Sequence, residues 1–234
     1  YTAAEQTAKF FNNIVNENTT SSRQLIIHEV MGRSCGWLTA YSAYLYQKDF
    51  VSKYNFIPSI GLNVEKWNIH AIYIPEYSFD LQKECIRLKS VIKENDCVNI
   101  FLSEGAGINN ILKEKKKNGE FINKDAFGHI RLDEINPGEW YAKYFKEKLK
   151  CDKVLVQKSG YYARSSAPNK KDLDLIFKHA DFAVDVALNS NSGVVGLDQQ
   201  TDKIRCIPFN EIKGGKPFNS NQEWFLNLLK GINL

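Results

Sequence analysis

Charged and aromatic residues follow three short apolar runs of this 234-residue sequence. Arg33 comes after the first run, Glu104 closes the second, and Tyr161 and Arg164 come directly after the third. A guanidinium presents a fork of donors that suits phosphate oxygens, and an ionised carboxylate accepts hydrogen bonds from hydroxyl groups. These residue types therefore predict a site for a phosphate ester that also carries hydroxyl groups.

The three apolar runs have the character of short buried strands, and helical patterns separate them along the chain. They cover residues 25–30, 97–103 and 153–159. Strands that alternate with helices predict an α/β fold with a largely parallel sheet. Because ligands bind outside the carboxyl ends of the strands in open sheets of this kind, we expect the residues that follow the three runs to meet at one edge.

The first run breaks off at a glycine in the stretch HEVMGRSCGWLTA, residues 28–40. We expect a helix over residues 35–46, with Ser34 as its N-cap. Backbone N–H groups and the positive end of the helix dipole face outward at such a turn. An arginine added at that point predicts that Arg33 contacts an anion from the first turn of the helix.

Composition excludes several other kinds of protein. The net charge of +4 arises from 31 basic and 27 acidic residues spread along the chain, which does not indicate a nucleic-acid partner. The five cysteines and four histidines are dispersed without metal-ligand spacing, so we expect no metal site built from side chains. Neither a membrane helix nor a signal peptide is indicated, so we expect a cytoplasmic protein.

Five quoted stretches, taken together, resemble the phosphofructokinase family and most closely its pyrophosphate-dependent branch. They are EVMGR (29–33), SEGAG (103–107), DAFGHIRLDEINPGEW (125–140), VQKSGYYARS (156–165) and IKGGKPF (212–218). In the third strand ending, Tyr161 stands where the ATP-dependent members carry a histidine, and Arg164 keeps the family's arginine. The resemblance implies part of a three-layer, Rossmann-like fold with helices on both faces of the sheet.

The resemblance also implies roles for individual residues. It implies contacts to the sugar phosphate from Met31, Gly32 and Arg33, to a sugar hydroxyl from Glu104, and to the 6-phosphate end from Tyr161 and Arg164. Further phosphate contacts are implied for Lys213, Lys216 and Arg23. Of these, Arg23 resembles an arginine that reaches the phosphate of a neighbouring subunit.

Two segments of the family pattern are absent from this sequence. Neither GGD nor TID occurs in it, and the aspartate of TID is the family's base for the sugar hydroxyl. We therefore expect no catalytic residue in this chain and no activity from the chain alone. The resemblance implies a fructose 6-phosphate-binding domain over residues 1–165 and a C-terminal segment, 166–234, that returns toward a missing donor-phosphate domain. The abrupt start at Tyr1, within a predicted helix, indicates a processed product or a piece of something longer.

The implied activity is transfer of a phosphoryl group from pyrophosphate to the 1-hydroxyl of fructose 6-phosphate, a reversible step of glycolysis that uses Mg²⁺. The implied partners are these two substrates and either further copies of the chain or the missing N-terminal half. Two alternatives stay open: an ATP-dependent 6-phosphofructokinase, and a non-catalytic subunit that binds a sugar phosphate. The joint presence of Arg33, Glu104 and Arg164 favours the enzyme, since a degenerate subunit has little reason to keep all three.

Overall fold

The computed structural model describes residues 1–120, 135–198, 201–212 and 214–232. Its α-helices are α1 (Thr2–Ile14), α2 (Trp37–Asp49), α3 (Leu81–Asn95), α4 (Ile108–Lys117), α5 (Pro137–Leu149), α6 (Gly160–Ser165), α7 (Lys170–Leu188) and α8 (Glu223–Gly231). The strands are β1 (Gln24–Val30), β2 (Ala71–Tyr73), β3 (Cys97–Ser103), β4 (Lys153–Lys158), β5 (Val194–Leu197) and β6 (Ile204–Ile207). Short 3₁₀ turns cover Val15–Thr19, Val51–Lys53, Pro58–Ile60, Val64–Lys66 and Phe209–Glu211. No helix in these described ranges is both long and apolar enough to cross a membrane.

Four strands form one parallel sheet in the order β2-β3-β1-β4, and β5 pairs with β6 in a separate antiparallel ribbon. The central strand β1 ends beside its neighbours, because Val30 is in register with Ser103 and Glu29 is in register with Lys158. The carboxyl ends of β1, β3 and β4 therefore share one edge. This arrangement confirms the predicted α/β class and its parallel sheet.

Alternating side chains of β1 supply two separate cores, one on each face of the sheet. Ile26 packs in a cluster with residues of α1, α2 and α8, whereas Ile27 packs in a cluster with residues of α3 and α5. Every residue of β1 and β3 is buried, as expected for strands covered by helices on both faces. The helices on both faces confirm the three-layer arrangement.

The described chain divides into two compact units. The larger unit contains the parallel sheet and consists of Ala3–Ser165 with Pro217–Leu234; the smaller consists of Tyr1–Thr2 with Ser166–Lys216. Within the smaller unit, α7 packs against β5 and β6, and the Tyr1 ammonium lies 3.0 Å from the Asp172 carboxylate.

The sequence-based segment 166–234 is therefore shared between the two units. Its last part belongs with the sheet because Phe218, Phe225 and Leu228 are buried in the same core as α1 and α2. The roles expected for the two parts of the chain remain predictions.

The start of α2 differs from the prediction. The helix begins at Trp37, and Gly36 rather than Ser34 holds the cap position. The Gly36 N–H donates to both carboxylate oxygens of Glu76, at 2.9 and 3.1 Å. A side chain distant in sequence therefore accepts the N–H that a local N-cap would otherwise satisfy. Arg33 consequently lies in the turn before the helix and not in its first turn.

Candidate functional site

A pocket of about 470 Å³ opens at the carboxyl ends of β1, β3 and β4. Four of the residues predicted from the sequence line it, one or more from each strand ending: Met31, Glu104, Tyr161 and Arg164. The remaining lining residues are Glu29, Asn136, Pro137, Lys158 and Gly160. The structure thus brings the three strand endings together at one pocket within the larger unit.

Two glycines let the turns that follow β1 and β3 approach each other closely. Gly32 has a φ of 149°, and a Cβ there would lie 2.6 Å from the Cys35 carbonyl oxygen. A Cβ at Gly105 would lie only 1.8 Å from the carbonyl oxygen of Arg33. Glycine is therefore required on both turns, and their contact sets Arg33 next to the segment that carries Glu104.

Hydrogen bonds hold these two turns in place. The backbone N–H of Glu104 donates to the carbonyl oxygen of Val30 at 3.0 Å, and the Ser103 hydroxyl donates to that of Gly32 at 2.6 Å. The sites predicted after the first and second strands are thereby joined into one rigid edge. Gly32 and Arg33 belong to this edge beside the pocket, and the side chain of Arg33 is exposed.

Glu104 lies in a strongly charged neighbourhood. Burial, and next the neighbouring Glu29 carboxylate, raises the pKa of Glu104 above its ordinary value. Three cations oppose this shift in the pKa: Arg33, Lys158 and Arg164. The pocket therefore combines one carboxylate that accepts hydrogen bonds with several positive charges, a combination suited to a ligand that carries both hydroxyl groups and an anionic end.

Tyr161 and Arg164 stand on the short helix α6, which follows β4 directly. The Arg164 guanidinium lies 4.9 Å from the centre of the Tyr161 ring and its Nε donates to the carbonyl oxygen of Gly160 at 3.2 Å. The Tyr161 side chain is nevertheless 86% exposed, so packing of this chain does not account for a tyrosine there. Both side chains remain accessible to a ligand at the mouth of the pocket.

Sequence reasoning gave no role to two charged residues of the pocket, Glu29 and Lys158. Their side chains form an ion pair with a Glu29 Oε1–Lys158 Nζ distance of 3.0 Å. The signal that could have found them is Glu29 itself, a charged residue at an inward position of a strand buried on both faces. Such a carboxylate requires a partner, and the strand that supplies the partner becomes clear only with the register.

Phosphate contacts were also predicted for Arg23, Lys213 and Lys216. Arg23 lies at the opposite, amino end of β1, where its guanidinium donates to the carbonyl oxygens of Leu149 and Lys150 at the end of α5. Lys216 is an exposed residue of the smaller unit, and Lys213 lies outside the described residues. Phosphate contacts of these three residues remain predictions.

The part of the chain that the structure describes contains no group of three or more His, Cys, Asp or Glu side chains that could hold a metal ion. Among the described residues, two carboxylates line the pocket, those of Glu29 and Glu104, and Lys158 and the Gly138 N–H already engage Glu29. Because Mg²⁺ prefers several oxygen ligands, these residues do not fit a Mg²⁺ site of their own.

A second cavity, of about 570 Å³, lies between α2 and α8 and is lined in part by Tyr44, Lys48, Glu223 and Trp224. It brings together one basic and one acidic side chain on helix surfaces and lies away from the strand endings. The pocket at the carboxyl ends of the strands, where four charged side chains of the described residues converge, is therefore the candidate site.

A family model described as phosphofructokinase matches residues 1–187. The chain belongs to the phosphofructokinase family. The match covers the whole of the pocket, whose lining runs from residue 29 to residue 164.

The chain is 48% identical over 233 residues to the pyrophosphate–fructose 6-phosphate 1-phosphotransferase of Methylomonas methanica, covering 99% of this chain and 57% of that relative. It is equally 48% identical, over 232 residues, to the enzyme of the same name from Mastigamoeba balamuthi, covering 56% of that relative. The chain thus spans little more than half the length of these phosphofructokinase relatives.

Solved structures confirm the phosphofructokinase fold. The pyrophosphate-dependent phosphofructokinase of Nitrosospira multiformis matches 97% of this chain with a TM-score of 0.57 at 19% identity, over 52% of its own length. The T-state phosphofructokinase of Pichia pastoris matches 89% of this chain with a TM-score of 0.52, over 18% of its own length. At such low identity these structures speak for the fold alone.

Proposed function

We propose that this chain forms the sugar-phosphate portion of an enzyme that transfers a phosphoryl group from pyrophosphate to the 1-hydroxyl of fructose 6-phosphate. The observation that carries the proposal is the pocket in which Glu104, Lys158 and Arg164 converge at the carboxyl ends of three parallel strands. The names of relatives at 44–48% identity over almost the whole chain support it.

The charged groups of the pocket suit the two kinds of polar group on fructose 6-phosphate, its phosphate and its hydroxyls. Arg164 and Lys158, with Arg33 beside them, supply the positive charge that a phosphate ester requires, and the exposed Tyr161 hydroxyl adds a donor. Glu104 supplies an acceptor for a sugar hydroxyl. Phosphoryl transfer asks the protein mainly for position and charge, so the role of this chain is to bind the sugar and orient its 1-hydroxyl.

Other parts of the reaction are expected from the portion of the relatives that this chain does not span. Because neither GGD nor TID occurs in these 234 residues, we place the base for the sugar hydroxyl and the cradle for the donor phosphates in that portion. Mg²⁺, when bound with pyrophosphate, supplies positive charge to the oxygens of the donor. In the complete enzyme the leaving group is inorganic phosphate, which makes the reaction readily reversible.

The smaller unit carries an exposed apolar surface on α7. Along α7 the exposed apolar side chains Leu173, Ile176, Phe177, Val184 and Leu188 recur at helical spacing and form one stripe. Their exposed fractions run from 39% to 79%, which is unusual for so many large apolar side chains on one helix. We infer that this stripe packs against the donor-phosphate portion that the relatives contain and this chain does not span.

The experiment that tests the proposal joins this chain to the missing N-terminal portion of the Methylomonas methanica relative and assays phosphoryl transfer with each donor. We expect turnover with pyrophosphate and Mg²⁺ in both directions, a far smaller kcat/KM with ATP, and no turnover by the 234-residue chain alone. A larger kcat/KM with ATP would support the ATP-dependent alternative. A joined protein that binds fructose 6-phosphate but turns over neither donor would support the non-catalytic subunit.

A further inference from the structure

Glu29 is an almost fully buried carboxylate on the central strand of the sheet, with only 8% of the residue exposed. A carboxylate in such a position is costly unless both of its oxygens have partners. The two oxygens of Glu29 have different ones: Oε1 lies 3.0 Å from the Lys158 Nζ, and Oε2 accepts the backbone N–H of Gly138 at 2.8 Å. One side chain therefore joins β1, β4 and the first turn of α5.

The contact with Gly138 leaves no room for a side chain at that position unless the Glu29 carboxylate moves away. A Cβ at Gly138 would lie 2.3 Å from the Glu29 Oε2. The carboxylate thus lies directly against the backbone at the N-terminus of α5, where the helix dipole favours a negative charge. This contact fixes Pro137 and Asn136, the two residues before Gly138, both of which line the pocket.

Asn136 and Glu29 hold the same ammonium group. The Lys158 Nζ donates to the Asn136 Oδ1 at 2.7 Å and forms its ion pair with the Glu29 Oε1 at 3.0 Å. Asn136 reaches this position with a φ of 47°, in the left-handed region that asparagine tolerates better than most residues. Asn136 engages one of the three N–H donors of this ammonium, and the half-exposed Lys158 side chain lines the pocket with further donors that suit an anion.

We propose that Glu29 is a positioning residue for the sugar-phosphate pocket, holding the Lys158 ammonium and the first turn of α5 in their places. The inference rests on the proposed function, since it assigns Lys158 to the ligand. The proposal can be distinguished from a purely electrostatic effect of Glu29. A negative charge beside an anion site weakens binding of the anion, so on electrostatic grounds alone the removal of the Glu29 charge should tighten binding of the sugar phosphate. If Glu29 positions Lys158, its removal loosens binding instead.

The test is a double-mutant cycle with Glu29→Gln and Lys158→Met, measured by calorimetry of the chain with fructose 6-phosphate. The glutamine keeps the shape of Glu29 but has one acceptor for two donors, so either Lys158 or Gly138 faces an amide N–H. We expect Glu29→Gln to weaken binding about 10- to 100-fold, the range of a charge-assisted hydrogen bond, and to have less than about a twofold further effect once Lys158 is methionine. The matched control is Glu17→Gln, which breaks the exposed pair between Glu17 and Lys153 at 2.8 Å at the other end of β4 and should leave affinity unchanged.

Binding that stays equal or becomes tighter in Glu29→Gln overturns the proposal, and so does an equal loss in the Lys158→Met background, which would mark a merely structural role. If Glu29→Gln fails to fold, Asn136→Gly replaces it in the same cycle, because glycine keeps the left-handed backbone and removes only the second acceptor of Lys158. A wild-type chain that binds no fructose 6-phosphate contradicts the proposed function instead. In that case NMR of the Lys158 ammonium decides: proton exchange accelerated about tenfold or more in Glu29→Gln supports the proposal, and unchanged exchange overturns it.

Discussion

Glu29 and Lys158 are register partners on adjacent parallel strands, and their side chains meet at 3.0 Å. The pair is asymmetric, since the Glu29 side chain is 9% exposed and that of Lys158 is 50% exposed. Removing the lysine therefore leaves a nearly buried negative charge without its cation, whereas removing the glutamate leaves a lysine that water can solvate. We therefore expect the ion pair to stabilise the folded chain mainly by neutralising the buried Glu29 carboxylate.

This asymmetry predicts that Lys158→Met destabilises the chain by about 1–3 kcal/mol, which thermal unfolding can measure. The matched control is Lys153→Met on the same strand, whose partner Glu17 is well exposed, and it should change stability by less than about 1 kcal/mol. Equal effects of the two substitutions would contradict the asymmetry.

Glu104→Gln should stabilise the chain at neutral pH while it weakens sugar binding. Burial and the Glu29 carboxylate raise the pKa of Glu104 in the folded chain, so its ionised form is less favourable there than in the unfolded chain. The contribution of Glu104 to the free energy of unfolding is therefore fully present below its pKa in the unfolded chain. That contribution is lost as the pH rises through its pKa in the folded chain. Calorimetric scans should show a higher Tm for the variant at neutral pH and equal Tm values near about pH 3, where the Glu104 carboxyl is protonated in both the folded and the unfolded chain. A lower Tm for the variant at neutral pH would refute the assignment.

We expect His28→Leu to reduce the loss of unfolding free energy that the chain undergoes as the pH falls below about 6.5. His28 is fully buried among the rings of Phe10, Phe11 and Phe101, and burial lowers its pKa from 6.5 to about 3. The unfolded chain therefore binds a proton that the folded chain does not, and stability falls as the pH drops from 6.5 toward 3. For this group the slope approaches about 1.4 kcal/mol per pH unit.

Leucine removes that proton linkage and also the cost of ring nitrogens that have no hydrogen-bond partner among the described residues. Denaturant unfolding at several pH values should show that the variant exceeds wild type by a margin that grows on acidification. A margin that is constant with pH would contradict the burial of an uncharged histidine.

Phe177→Glu should block assembly of this chain with the missing N-terminal portion supplied as a separate polypeptide. Phe177 is 62% exposed in the middle of the apolar stripe on α7, and a carboxylate there would be buried without a partner on docking. Fructose 6-phosphate binding should not change, because the pocket belongs to the larger unit. The control is Lys178→Glu, the neighbouring residue outside the stripe, which should assemble normally in size-exclusion chromatography. Normal assembly of Phe177→Glu would show that the stripe is not the docking face.

The α/β class and the meeting of three strand endings could be predicted because both depend on local patterns. Each strand is a continuous apolar run, and Arg33, Glu104 and Arg164 follow the carboxyl ends of parallel strands whatever their order. The order β2-β3-β1-β4 could not be predicted, since every buried strand presents a similar apolar surface to either neighbour. The partner of Glu29 depends on that order and on the register.

The predicted start of α2 was wrong because a residue distant in sequence replaces the local capping signal. Ser34 satisfies the sequence rule for an N-cap, but Glu76 accepts the Gly36 N–H from 40 residues away. The short helix α6 was missed because Gly160–Ser165 is too brief to show a periodic pattern. The division of residues 166–234 between two units likewise depends on long-range burial of Phe218 and Phe225, which no local pattern records.

The most direct test of the central claim is a calorimetric titration of the folded 234-residue chain with fructose 6-phosphate, set beside Arg33→Ala, Arg33→Lys and the surface control Lys116→Ala. We predict one site per chain, an affinity about 10- to 100-fold weaker in Arg33→Ala, and only partial recovery in Arg33→Lys, because a lysine lacks the fork of donors. Lys116→Ala should bind as wild type does. A folded wild-type chain that binds no fructose 6-phosphate, or an Arg33→Ala variant with unchanged affinity, would contradict the account.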